Sequence, residues 1–151
     1  MTTLPDRLVP LAHGLMRIVV AFLWWTHGAQ KLFGWFGGFG PGGGAAELMT
    51  RFGAAGTIEF VLGTLVMLGV FTRPAAFLAS GEMAVTYFWM HAGSAGSIWP
   101  WANRGELPAL YAFVFLFIAA AGPGALSLEG WWRGRREPSG GSAVGPAAGE
   151  G

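Results

Sequence analysis

Three ionisable side chains, Arg17, Glu59 and Glu82, interrupt stretches that are otherwise apolar. Two carboxyls and one guanidinium in a low-dielectric setting can form one ion pair and leave one carboxyl over. The surroundings favour the neutral form of that carboxyl, so it can exchange a proton. Glu59 is the candidate for this catalytic role. His27 and Gln30 fall within one turn of each other in HGAQKLFGWFGG, residues 27–38, beside Lys31. Arg17, His27, Gln30 and Glu82 form the candidate ligand-binding set. Donors to a carbonyl oxygen next to acids that handle protons suit a quinone head group. The same charges equally satisfy a structural role, a salt bridge that locks helix register. His27 and His91 have the chemistry to ligate a haem iron. However, at about 100° per residue His91 stands about 180° from Glu82, so haem is not expected, and no metal site is read. A formal G-x-G-x-x-G at 38–43 follows an apolar run rather than a strand and contains Pro41. It is therefore read as a turn, not a phosphate cradle.

The elements that must hold these residues follow from composition. The chain has 151 residues, 53% hydrophobic and 11% charged, with a mean hydropathy of +0.49. Soluble domains carry about 25% charged residues, so the surrounding solvent is read as the lipid bilayer. A net charge of +1 without a basic stripe excludes a nucleic-acid partner. The absence of cysteine removes disulfides, thiol catalysis, thiolate-held Fe–S clusters and covalently attached haem. Any redox role would need a bound or partner-supplied cofactor.

Four apolar runs are expected as helices, at about 8–33, 53–71, 75–91 and 105–121. The first is too long for a signal-peptide core and is read as an uncleaved membrane helix. A short helix is expected over Ala45 to Arg51, and Thr72-Arg73-Pro74 is read as a tight turn with Pro74 opening the third helix. Gly56 and Gly63 share a face where another helix can approach closely. Leu126 to Arg136, with Trp131 and Trp132 beside three arginines, is an interfacial anchor. Residues 137–151 read as a disordered Gly/Ala/Pro-rich tail after a membrane domain spanning 1–136. The fold class is all-α, an integral membrane four-helix bundle running up-down-up-down. Arg7, Arg73, Arg133, Arg135 and Arg136 fall on one side and Lys31, Arg51 and Arg104 on the other, which places both termini in the cytoplasm.

On the first helix His13, Arg17, Trp24, His27 and Lys31 share about a quarter of the circumference and mark the interior stripe. Counting from the cytoplasmic ends puts Arg17 and Glu82 both about 11–14 Å deep and Glu59 about 20 Å deep. An Arg17–Glu82 pair is therefore expected, with Glu59 above it toward His27 and without a cation at its own depth.

Several stretches together resemble the DoxX family of small bacterial membrane proteins: Arg17, HGAQKLFGWFGG at 27–38, EFVLG at 59–63, TRPAA at 72–76, NRGELPALY at 103–111 and AAGPGALSLE at 120–129. The resemblance covers about residues 10–130. It implies a multi-pass protein of the bacterial cytoplasmic (inner) membrane, similar to the small DoxD subunit of an archaeal thiosulfate:quinone oxidoreductase. Some members associate with redox and oxidative-stress proteins. The first expectation is thus a subunit or accessory protein of a quinone-linked membrane complex with a redox-protein partner. A non-catalytic scaffold and a small proton-coupled transporter, which would need a homo-oligomer, are the alternatives.

Overall fold

The computed structural model describes residues 4–136, which form helices joined by turns, with one isolated bridge between Phe39 and Gly44. Helix α1 (Leu4–Phe33) is about 45 Å long at ~1.5 Å per residue. Helix α2 (Arg51–Leu68) returns antiparallel along it, with Gly56 against Lys31, Gly63 against Trp25 and Val66 against Arg17. The two helices approach closely because the facing residues are glycines. A β-carbon at Gly56 would lie 2.7 Å from Cβ of Lys31, and one at Gly28 would lie 2.8 Å from the Gly56 carbonyl oxygen. The shared face of Gly56 and Gly63 is therefore the α1 contact.

Helix α3 (Thr72–Thr86) widens into a π-helical segment (Tyr87–Ala92) and one last turn (Gly93–Ala95). A short α4 (Pro100–Asn103), α5 (Glu106–Ala121) and α6 (Leu128–Arg136) follow. Helices α3 and α5 are also antiparallel neighbours. The Arg73 guanidinium donates to the last carbonyls of α5, at Ala119, Ala120 and Ala121, and the Ser80 hydroxyl donates to the Ala112 carbonyl at 2.8 Å. The two pairs meet over one core: Ala21 and Trp24 from α1, Val66 from α2, Ala75, Ala76, Ala79 and Met83 from α3, and Tyr111, Phe115 and Ile118 from α5. Trp24 and Phe115, both fully buried, hold the centre at 4.8 Å between rings.

The outside of the molecule is apolar too. Leu15, Val19, Phe22, Val61, Phe77, Leu78, Val85 and Phe113 all stand exposed. Two helical segments, Leu8–Phe33 and Arg51–Leu68, are long and apolar enough to cross a membrane, and only 22% and 28% of their apolar windows are buried. A core helix of a water-soluble fold would show the reverse.

Three local expectations change. No helix covers Ala45 to Thr50, because the Ala46 amide is spent on the Lys31 carbonyl at 2.7 Å and Thr50 acts as the N-cap of α2, its hydroxyl accepting from Gly53. Thr72-Arg73-Pro74 is helix rather than turn. Gly69, in the left-handed region, ends α2, and Phe71 caps α3, so Pro74 sits inside the first turn, where its missing amide costs nothing. The Glu129 carboxylate accepts from the Thr72 amide at 2.8 Å, supplying the cap that Phe71 cannot. The third change is the π segment, which alters the site. The Gly/Ala/Pro-rich tail, 137–151, lies outside the described residues.

Candidate functional site

The interior stripe of α1 faces inward as its spacing requires: Arg17 and Trp24 are fully buried, and His27 and Lys31 are partly so. Its two ends do different things. At the Arg17 end the guanidinium meets no acid. Nε donates to the Pro123 carbonyl at 2.7 Å, Nη1 to those of Val66 and Met67 at 2.5 and 2.7 Å, and Nη2 to that of Leu126 at 2.8 Å and, more weakly, that of Ala125 at 3.4 Å. The expected Arg17–Glu82 pair is not formed. Helix α1 begins at Leu4, earlier than its apolar run, and Pro10 is level with Ala125. Arg17 is therefore at the level of the last turn of α2, where orphan helix carbonyls attract a cation. Arg17 leaves the ligand-binding set.

At the other end α1 and α3 finish while α2 and α5 begin, and a cavity of about 190 Å³ opens among them. Trp24, His27, Lys31, Glu59, Met83, Thr86, His91, Leu107, Pro108 and Tyr111 line it. Glu59 does have a cation at its own level: Lys31 Nζ lies 2.5 Å from Glu59 Oε1, with the lysine side chain 17% and the glutamate 3% exposed. The expectation of an unpartnered Glu59 is thereby corrected. Lysine on an interior stripe, four residues beyond His27, folds back along α2 over side-chain-free Gly56 instead of reaching for water.

The pairing uses one oxygen only. Glu59 Oε2 and the Trp24 indole N–H, on the same cavity, are buried without a protein partner. Buried polar groups are ordinarily hydrogen-bonded, so an orphan acceptor and an orphan donor on two residues of one cavity single that region out.

Glu82 lines an adjoining cavity of about 460 Å³ together with Lys31, Arg51, Thr86 and His91. Thr86 donates to Glu82 Oε1 at 3.0 Å, while Glu82 Oε2 is a further buried orphan. His91 lines both cavities, so it does not point away from Glu82. The π segment turns through fewer degrees per residue than an α-helix and brings His91 back toward that wall. Its Nδ1 is 3.1 Å from the Asn103 carbonyl, an obligate acceptor. Nδ1 therefore carries the proton, and in the neutral ring Nε2 is the free basic atom. Gln30 donates to the Phe36 carbonyl at 3.3 Å and ties the glycine-rich loop to α1 instead of lining the cavity.

Of the candidate set, His27 and Glu59 share one cavity and Glu82 its neighbour; Gln30 stands behind that wall with its side chain hydrogen-bonded to His27, and Arg17 lies at the other end. Thr86 and Tyr111 are additions. Tyr111 is one of two tyrosines and sits inside an apolar run, which is the signal that it has polar work there. A cavity of 190 Å³ between His27 and His91 is too small for a porphyrin. Among the described residues no three acidic or histidine side chains gather as a metal site. A larger hollow of about 670 Å³ against α6 carries no titratable side chain and is not a candidate.

Comparison with known proteins adds an independent line. The DoxX family profile matches residues 13–92, a span holding His27, Lys31, Glu59, Glu82 and His91. A protein of Haemophilus influenzae, described only as uncharacterized, is 40% identical over 129 residues, covering 82% of this chain and 92% of its own length. No solved structure matches the chain.

Proposed function

Because this chain belongs to the DoxX family of membrane proteins, we propose that it is a subunit or accessory protein of a quinone-linked redox or oxidative-stress complex, with the cavity at Glu59 as the quinone head-group site. The protein is then a multi-pass resident of the bacterial inner membrane, α1, α2, α3 and α5 running up-down-up-down with both termini cytoplasmic. The arginine distribution supports that orientation.

One observation carries the proposal: Trp24, with a buried unpaired N–H, and Glu59, with a buried unpaired oxygen, both line the same small cavity. A six-membered ring with oxygen on opposite edges complements them, the indole donating to one oxygen and the carboxylate receiving a hydrogen bond when that oxygen carries a proton. Bound there, a quinone would supply two-electron, two-proton chemistry. The chain's own contribution is to orient and to hold protons. Lys31 fixes the Glu59 carboxyl, and His91 Nε2 offers a second proton acceptor on the wall shared with Glu82.

Trp24→Phe deletes the donor together with part of a fully buried ring, so its melting temperature should fall as the core loses volume. In lipid nanodiscs, held below that temperature, it is expected to bind quinone at least about three- to tenfold more weakly, the worth of one hydrogen bond. Glu59→Gln should fold normally yet fail to complement a deletion strain under oxidative or thiol stress. Wild-type protein that neither copurifies with nor binds a quinone would overturn the proposal. The closed Lys31–Glu59 pair favours one alternative, a non-catalytic scaffold, and full complementation by Glu59→Gln would establish it.

Topology has its own check. Gly42 is exposed and a β-carbon there meets nothing, so Gly42→Cys in this cysteine-free chain should react with an impermeant thiol reagent in intact cells. Gly141→Cys should not. The opposite pattern would invert the orientation.

A further inference from the structure

On the premise that the polar cavity is the head-group site, we propose that its ligand carries a long apolar chain, enters sideways from the bilayer between α2 and α3, passes Glu82, and leaves that chain lying in the groove between the two helices. The groove, about 690 Å³, is walled by Ile58, Val61 and Leu62 from α2 and by Phe77, Leu78 and Val85 from α3. It adjoins the site through shared walls. Ile58, Glu82 and Val85 line both the groove and the 460 Å³ cavity, and Lys31, Thr86 and His91 line both that cavity and the polar one.

These adjoining hollows mark out the proposed route from the lipid-facing flank toward Trp24 and Glu59, and its polarity rises along the way. It begins among side chains such as Val61, Phe77 and Val85, each about half or more exposed. Thr57 on its wall has already given its hydroxyl to the Gly53 carbonyl, so its first unpaired polar atom is Glu82 Oε2, buried without a protein partner, and it ends at the Lys31–Glu59 pair. An amphiphile travelling head first meets a carboxyl as its ring leaves the hydrocarbon; that carboxyl accepts from a quinol hydroxyl or, when protonated, donates to a quinone carbonyl, which offsets the cost of moving a polar head through an apolar wall.

The helix packing leaves this gap loosely closed. Helix α2 is clamped to α1 by close glycine contacts, and α3 is hydrogen-bonded to α5, whereas α2 and α3 touch more sparsely. Gly81 lies on the groove wall, and a β-carbon there would meet nothing within 4 Å. The groove is thus open where a chain would lie. Moving a chain from lipid into such a groove gains little hydrophobic energy, so the groove acts as a steric passage and selects by shape.

Gly81→Phe blocks the passage without touching the packed core. With full-length protein in nanodiscs, two probes are titrated by quenching of tryptophan fluorescence: a tail-less benzoquinone and the same ring bearing a long alkyl chain. Gly81→Phe should weaken binding of the long-chain ring by about tenfold or more and change the tail-less ring by less than about twofold. Equal effects on both probes, or none on either, would overturn the lateral passage while leaving the head-group site standing. If neither ring binds wild-type protein the quinone reading fails, and the groove is then judged alone by a diazirine-bearing alkyl chain in the same nanodiscs. Photolabelling of the Ile58 and Gly81–Val85 segments that is lost in Gly81→Phe supports the passage. Absence of label there overturns it. A change in oligomeric state on Gly81→Phe would also overturn it, by making the groove an interface between two copies.

Discussion

Replacing Arg17 by lysine is expected to lower stability by about 3 kcal/mol or more, although the charge is kept. The guanidinium holds carbonyls from two separate pieces of backbone, the last turn of α2 and the Pro123–Leu126 turn. Each bond from a charged donor to a buried acceptor is worth about 1.5–3 kcal/mol, and an acceptor left unpaired costs about 1–3 kcal/mol. An ammonium is a point charge with three donors and cannot bridge the same fork, so the Arg17→Lys variant strands at least two carbonyls. Thermal unfolding in nanodiscs measures the loss. The double variant Arg17→Lys with Glu82→Gln should be additive, since the residues share no bond. Recovery in the double variant would restore the Arg17–Glu82 pairing.

Lys31→Met is expected to be comparably severe, about 3–5 kcal/mol, because it leaves a carboxylate that is 3% exposed without its counter-ion. Glu59→Gln alone should cost less, since the lysine, 17% exposed, can turn toward the polar face. The double variant Lys31→Met with Glu59→Gln should recover most of the loss, because no buried charge remains. The four unfolding curves form a double-mutant cycle. A coupling below about 0.5 kcal/mol would mean that the two groups do not meet.

These expectations differ from what the chain suggests before it is folded, and the reasons are physical. The stripe from His13 to Lys31 is legible because a 3.6-residue period puts any such set on one face. The close α1–α2 contact is legible because glycine has one use on a buried face. Partners are another matter. Pairing Arg17 with Glu82 assumes that a buried cation seeks an anion, yet every helix end offers carbonyls that carry partial negative charge, and no residue letter records which of them lie free. Lys31 stands on the interior stripe yet is not matched with Glu59, because lysine at the end of an apolar run usually reaches for water. Gly56, which makes room for it to lie back along α2, belongs to another element. His91 is misplaced by an assumption of uniform winding. Thr86, between Glu82 and the cavity, is silent in sequence because one hydroxyl in an apolar helix more often bonds its own backbone.

The π-helical segment has a consequence for chain length. A bond from the Gly93 amide to the Phe88 carbonyl closes a turn of five residues where an α-helix would use four. The segment therefore stores a surplus residue: what lies before it and the far end of the segment itself are each in register with their neighbours, Ser80 with Ala112 and His91 with Asn103. Shortening the chain by one here would tighten the turn into ordinary helix and leave both registers in place. The same loss within Thr72–Thr86 would rotate every later side chain by about 100° and carry Thr86 and His91 off the wall together. The slack in this helix is confined to the turn that borders the polar cavity, and Thr72–Thr86 is the stretch the protein cannot shorten.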